Sequence, residues 1–244
     1  MEELMPTDTA LILGASKGLG AEIARAYHDD CWVETIELAS SINDGNPRGR
    51  LASRTMLRCN LADRASVRMT LCKLEHRRVT FNRFFWVAGT WWEGEFAEMS
   101  PEEMLRLIDV NFRNAVLVAH WAWRALQSAS RATAYPPSTY TVIGSTSGVR
   151  PRKHQEVYAA TKHAQVGFAR SLGESNPNPN VHVSLFVLGG MRTHLFDRKP
   201  PAAYAEFMDP AKVAAHIVAR VAEQRDPYLE QEITRDSSLG QSLR

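Results

Sequence analysis

The sequence predicts an α/β protein, a single domain built on a doubly wound parallel sheet with helices on both faces. Three observations lead there. Short apolar runs alternate with helical patterns along the chain, the order that winds into a parallel sheet. The first run, "TALILG", ends in a glycine-rich turn, "GASKGLG" (Gly14 to Gly20), that opens into a helix. No linker and no fixed-period repeat divides the 244 residues, so they read as one domain, 1–244.

Each element has its own signal. "TALILG" is a continuous apolar run, as in a strand buried on both faces. "AEIARAYHDD" has apolar residues at helical spacing (Ile23, Ala24, Tyr27), and "WVETIELASS" is a second strand. "SINDGNPRGRLAS" is dense in Gly, Asn, Asp and Pro and reads as a loop. "TMLRCNL" is a third strand, and "DRASVRMTLCKLEHR" a helix capped by Asp63. "FNRFFWVAG" is a fourth strand. The stretch "SPEEMLRLIDVNFRNAVLVAHWAWRALQSA" predicts one long helix, with Ser100 as N-cap, Pro101 in its first position and Glu103 completing a capping box. "STYTVIGSTSG" is a fifth strand, followed by a helix from Val157 to about Glu174. "VHVSLFVLGG" is a sixth. A helix opened by Asp209 and Pro210 precedes a weak last strand, "YLEQEIT", and the tail from about 235 to 244 is expected to fray.

Composition narrows the function classes. With 44% hydrophobic and 23% charged residues the chain is ordinary for a globular protein. A net charge of +2 implies no large basic surface for nucleic acid. No apolar run is long enough to span a membrane, and the acidic start "MEELMPTDTALILG" is unlike a signal peptide. Cys31, Cys59 and Cys72 lack metal-ligand spacing and read as free thiols, so a cytoplasmic location and no metal site are expected.

The chemistry concentrates after the strands, where ligands bind in such sheets. Glycines let a phosphate approach a helix N-terminus, where unpaired N–H groups and the helix dipole favour negative charge. "GASKGLG" therefore predicts a dinucleotide site. Further along, "VYAATKHAQVGFARSL" places Tyr158 and Lys162 four residues apart, on one face of a helix. A free phenol has a pKa near ~10, and a nearby cation lowers it towards the working range of an acid–base catalyst. Lys162 is expected to act on Tyr158 in this way.

"GASKGLG" together with "YAATK" resembles the short-chain dehydrogenase/reductase family, over nearly the whole chain from Ala10 to about Gln224. The resemblance implies a Rossmann-type sheet of about seven strands, bound NAD(H) or NADP(H), and hydride transfer at a carbonyl or alcohol. It also implies site residues. Asn111 in "VNF" is similar to the family's active-site asparagine, which would hold a water linking Lys162 to solvent. Ser145 in "IGSTSG" stands at the usual interval before Tyr158 and would orient the carbonyl. Lys162 would also hydrogen-bond the nicotinamide ribose. "VAGT" resembles the cofactor-contacting segment after the fourth strand, and "LGGMRTHLF" the segment beside the nicotinamide, with Thr193 at the family's threonine. The chain departs from the family pattern at Leu13, Trp86, Val87 and Leu188, and lacks its C-terminal Asp-Gly-Gly stretch.

On this reading the cofactor contacts are Gly14, Ser16, Lys17, Gly18, Leu19 and Gly20 in the turn, and Ser40 and Ser41 after the second strand. Asn60 and Leu61 follow the third strand and Ala88 and Gly89 the fourth. Leu188, Gly189, Met191 and Thr193 follow the sixth, with Tyr158 and Lys162 completing the set. Ser40 occupies the position that selects between cofactors, with Lys17 and Arg48, Arg50 and Arg54 nearby, so NADP(H) is favoured over NAD(H). If Glu37 faced the ribose instead, the preference would reverse. Trp91, Trp92, His194 and Phe196 are substrate-contact candidates, and residues from about 194 to 210 form a lid. Apolar residues on more than one face of the long helix, Trp121 and Trp123 among them, together with the family's habit, lead us to expect a homodimer or homotetramer. The expected activity is NADP(H)-dependent reduction of a small carbonyl, or oxidation of the alcohol. The alternatives are a catalytically weak NADP(H)-binding regulator and an epimerase or dehydratase using the same tyrosine and lysine.

Overall fold

The computed structural model describes residues 8–28, 33–40, 54–129 and 137–244. Cys31, Ser41, Arg48 and Arg50 lie outside the described residues. Seven strands form one parallel sheet. They are β1 (Asp8–Leu13), β2 (Val33–Ala39), β3 (Arg54–Arg58), β4 (Arg83–Trp86), β5 (Ser138–Ser145), β6 (Val181–Leu188) and β7 (Tyr228–Ile233). Their order across the sheet is β3-β2-β1-β4-β5-β6-β7. The chain winds outward from β1 in one direction, then restarts at β4 on the other side of β1, which opens a crevice at the carboxyl ends of these two strands.

The apolar runs are continuous because both faces of the sheet are covered. In β1, Leu11 and Leu13 enter one core with Phe84, Trp86, Tyr140 and Val118, while Ala10 and Ile12 enter the other with Phe85, Phe186, Ile23 and Val213. Helices α2 (Arg64–His76), α4 (Ala115–Ala129) and α5 (Glu156–Glu174) cover the first face; α1 (Gly18–His28) and α6 (Pro210–Ala222) cover the second. Trp121 packs on Phe81 and Trp123 on Tyr140, at ring separations of 5.7 and 5.4 Å, so both tryptophans serve the sheet side of α4, while Leu117 on the same helix remains exposed. The start signals act as read: Asp63, Ser100 and Asp209 each accept a hydrogen bond from the first turn of their helices.

Two expectations are corrected. The long helix is not continuous. It runs as α3 (Pro101–Ile108), then a wide turn over Asp109–Arg113, in which the Asn114 N–H donates to the Asp109 carbonyl five residues back (3.0 Å), then α4. Such π-turns re-aim side chains and occur often at functional sites. This one holds Asn111, which is fully buried. The tail, expected to fray, carries α7 (Ser238–Ser242). Ser237 caps it, Leu243 is buried, and the Leu243 carbonyl accepts the Asp209 N–H at 2.7 Å.

The turn after β1 is fixed by contact. Gly14 has φ +100° and Gly18 φ +61°, the region that favours glycine. A Cβ on Gly20 would stand 2.1 Å from the Gly14 carbonyl oxygen, so α1 lies against the end of β1 at a distance only glycine allows. Gly20→Ala is expected to push α1 off β1 and destabilise the fold by about 1–3 kcal/mol, read as a lower urea midpoint. An unchanged midpoint would show that the turn yields freely.

Candidate active site

A cleft of about 1300 Å³ opens at the carboxyl end of the sheet, where the strand order reverses. The turn brings Gly14, Ser16, Lys17, Gly18, Leu19 and Gly20 to its wall, and Ser40, Asn60 and Leu61 extend that wall past β2 and β3. Ala88, Gly89, Leu188, Gly189, Met191 and Thr193 line the middle, beside Ser145, Tyr158 and Lys162. Asn111 is not on the cleft surface; it is buried behind Lys162. The walls fit a nicotinamide dinucleotide. Gly14 and Gly18 leave bare backbone at the turn, and α1 begins there with no acidic residue in its first turn, so nothing opposes a phosphate at its positive end.

Tyr158 and Lys162 are both buried, each with 6% of its surface exposed. Burial pushes the Tyr158 phenol up to about 12, and a hydrogen bond with Ser145 offsets part of the rise. This corrects the expectation that Lys162 lowers the phenol. Burial dominates, and the ammonium is engaged elsewhere: its Nζ donates to Gln165 Oε1 at 2.7 Å and to the Ile143 carbonyl at 3.4 Å. The same burial lowers Lys162 to about 8. Ser145 sits at the end of β5, and its Oγ accepts the Ser147 N–H at 3.1 Å, leaving its own proton to donate.

Asn111 is held on every side. Its Oδ1 accepts the Thr90 N–H (2.7 Å), and its Nδ2 donates to the Thr90 carbonyl (2.9 Å) and to Thr161 Oγ1 (3.0 Å). Its backbone carbonyl accepts from Gln165 Nε2 at 2.8 Å. Gln165 was not singled out in the sequence. Its position three residues after Lys162, one helical turn along, is the signal that would have found it.

The end of β2 carries two contrasting side chains. Glu37 is fully buried and ion-paired with Arg54 (Nε–Oε1 2.7 Å), so it faces the neighbouring strand rather than the cleft. Ser40 is exposed on the cleft wall, as is Lys17.

Over the other end lies the segment after β6. Phe196 packs edge-on against Trp91 (4.9 Å between ring centres) and against Phe207 (5.5 Å). Lys199 and Arg198 approach Glu93 (3.5 Å) and Glu103 (3.6 Å). Trp92 also lines the cleft, with its ring over Gly94, where a Cβ would meet it at 2.9 Å. His194 is exposed and pairs with Asp197 (3.1 Å) within its own segment. In the loop before Tyr158, Arg150 pairs with Glu232 (2.7 Å) and Arg152 donates to Thr146 Oγ1 (3.2 Å), so both are engaged within the protein. Among the described residues, no helix is long and apolar enough to cross a membrane.

The fold is one that known proteins share. The family model described as short chain dehydrogenase matches residues 8–203. Curated relatives include the putative ketoacyl reductase 1 of the granaticin polyketide synthase from Streptomyces violaceoruber, 26% identical over 78% of this chain and 70% of the relative. The 3-oxoacyl-[acyl-carrier-protein] reductase of Rattus norvegicus is 23% identical over 75% of each chain. Among solved structures, a 3-oxoacyl-[acyl-carrier protein] reductase from Brucella melitensis in complex with NAD shares the fold at a TM-score of 0.79, with 18% identity over 95% of this chain and 96% of that one. ElxO with NADP bound shares it at 0.75, with 15% identity over 93% and 97%. The chain therefore belongs to the short-chain dehydrogenase family, and with it to the NAD(P)-dependent oxidoreductases.

The buried lysine makes stability depend on pH. The folded protein binds this proton less tightly (about 8) than an exposed lysine does (10.5). Between those values the unfolded chain holds more protons, so the lysine's contribution improves as pH rises through the window and is lost as pH falls through about 8. Between about pH 7.5 and 10, the wild type is expected to gain roughly 2 kcal/mol relative to Lys162→Met in urea denaturation. Parallel pH dependence of the two proteins would refute it.

Proposed function

We propose that the protein is an NADP(H)-dependent carbonyl reductase or alcohol dehydrogenase, with Tyr158 as its general acid and base. The observation that carries the reading is the convergence of Ser145, Tyr158 and Lys162 on one cleft at the strand-order reversal. When bound, the nicotinamide supplies the hydride and, once oxidised, a positive ring. Thr193, Met191 and Gly189 after β6 and Ala88 and Gly89 after β4 would hold the nicotinamide end, and the turn the phosphates. Ser145, hydrogen-bonded to Tyr158 before substrate arrives, would turn its hydroxyl proton to the substrate oxygen and so stabilise charge that builds there. Tyr158, neutral at ordinary pH, would deliver a proton to that oxygen in reduction and take it back in oxidation. The relatives named as ketoacyl and 3-oxoacyl reductases fit a carbonyl substrate. Trp91 and Phe196 would wall its apolar part.

The NADP(H) preference rests on the selector region. A carboxylate there would repel the 2′-phosphate, but Glu37 is neutralised by Arg54 inside the sheet, and Ser40 and Lys17 are exposed in its place. Fluorescence titration should show NADPH binding more tightly than NADH. Ser40→Asp is expected to weaken NADPH by about 10-fold or more while sparing NADH, by charge repulsion at short range. Equal affinities in the wild type would remove the preference.

Turnover is tested by following NADPH absorbance across a panel of carbonyls, with alcohols and NADP⁺ for the reverse direction. Tyr158→Phe should lose about 10²-fold or more in kcat, with NADPH affinity kept. An unaltered rate would exclude the phenol as the acid. Cofactor binding without turnover on a broad panel would favour a regulatory role.

A further inference from the structure

Gln165 is fully buried on α5, and its side-chain amide is engaged at both ends. Oε1 accepts from the Lys162 ammonium at 2.7 Å, and Nε2 donates to the Asn111 carbonyl at 2.8 Å. The two partners fix the amide's orientation. Reversed, it would set N–H groups against an ammonium and an oxygen against a carbonyl oxygen. We propose that Gln165 is a positioning residue for Lys162, a strut that holds the ammonium at the cleft floor and anchors it to the wide turn between α3 and α4.

The other neighbours of the ammonium leave this role to the amide. On α5 itself the titratable neighbour is Tyr158. From β5 comes the Ile143 carbonyl, at a longer 3.4 Å. After β4 comes Gly89, where a Cβ would stand 3.5 Å from Nζ, and from the wide turn Asn111, whose side-chain atoms are committed to Thr90 and Thr161. None of these three carries a charge. The strut also has a direction. Its donors point away from the lysine and end on a carbonyl, so the amide has no acidic proton to pass back. The Gln165 side chain thus stands between the Lys162 ammonium and the wide turn.

The inference rests on Lys162 belonging to the site, but its test needs no turnover. Lysine labelled with ¹³C at Cε is followed by NMR across a pH titration of the full protein, with the Lys162 signal assigned by its loss in Lys162→Met. Gln165→Met removes the acceptor and should lower the Lys162 midpoint. Gln165→Glu places a carboxylate against the ammonium and should raise it. Each displacement is expected to reach about half a pH unit or more. Midpoints unmoved in both folded variants would overturn the proposal, as would a shift of both in the same direction. Circular dichroism establishes folding, and if Gln165→Met does not fold, the upward shift in Gln165→Glu decides alone. A purely structural glutamine would lower thermal stability and leave the midpoint in place. Failure of this test would leave the reductase reading standing, and failure to find a substrate would leave this one standing.

Discussion

A positive charge buried at the end of β5 constrains everything around it. Removing an ammonium from water costs several kcal/mol unless polar groups replace the lost hydration. Here three separate elements meet to provide them. β5 presents the Ile143 carbonyl, α5 contributes Gln165, and the wide turn holds Gln165 in place through the Asn111 carbonyl. The turn is in turn tied to the loop after β4 by the paired hydrogen bonds between Asn111 and Thr90. The loop that passes Gly89 along the cleft, the helix carrying the phenol and the break between α3 and α4 are thus parts of one hydrogen-bonded unit.

That unit favours one protonation state. With the phenol pushed up to about 12, Tyr158 keeps its proton at every ordinary pH. The lysine at about 8 is close to giving its proton up. Working as a base requires added positive charge near the phenol, which an oxidised nicotinamide ring brings with it.

Much of this was legible in the chain because it is written in local patterns. Continuous apolar runs mark strands buried on both faces, and Asp63, Ser100 and Asp209 mark helix starts by short-range hydrogen bonds that need no tertiary context. Tyr158 and Lys162 are legible for the same reason, being one turn apart. What stayed hidden depends on partners distant in sequence. The helix break at Asp109–Arg113 exists because Asn111 reaches Thr90 and Thr161, and nothing near it in sequence breaks a helix. The direction of the phenol's shift was misjudged because spacing shows that two groups are close but not how deep they lie. Trp91 and Trp92 are adjacent and alike on paper, yet one meets Phe196 and the other lies on Gly94.

The same distinction governs the far end of the cleft. Glu37 reads as a ribose ligand to anyone who sees only an acidic residue near the end of β2. Its side chain is one strand away from Arg54, seventeen residues on, and the two form a pair on the sheet face with Thr35 donating to the same carboxylate. Strand pairing sets Thr35 directly beside Arg54, which brings the guanidinium within reach of Glu37 two residues along on the same face. A carboxylate bound to a bidentate guanidinium is held in place by geometry as well as charge. It is not free to turn towards a ribose without stranding the arginine in the sheet. Among the described residues at the end of β2, Ser40 is small, neutral and exposed on the cleft wall, and Lys17 is exposed on the same cleft.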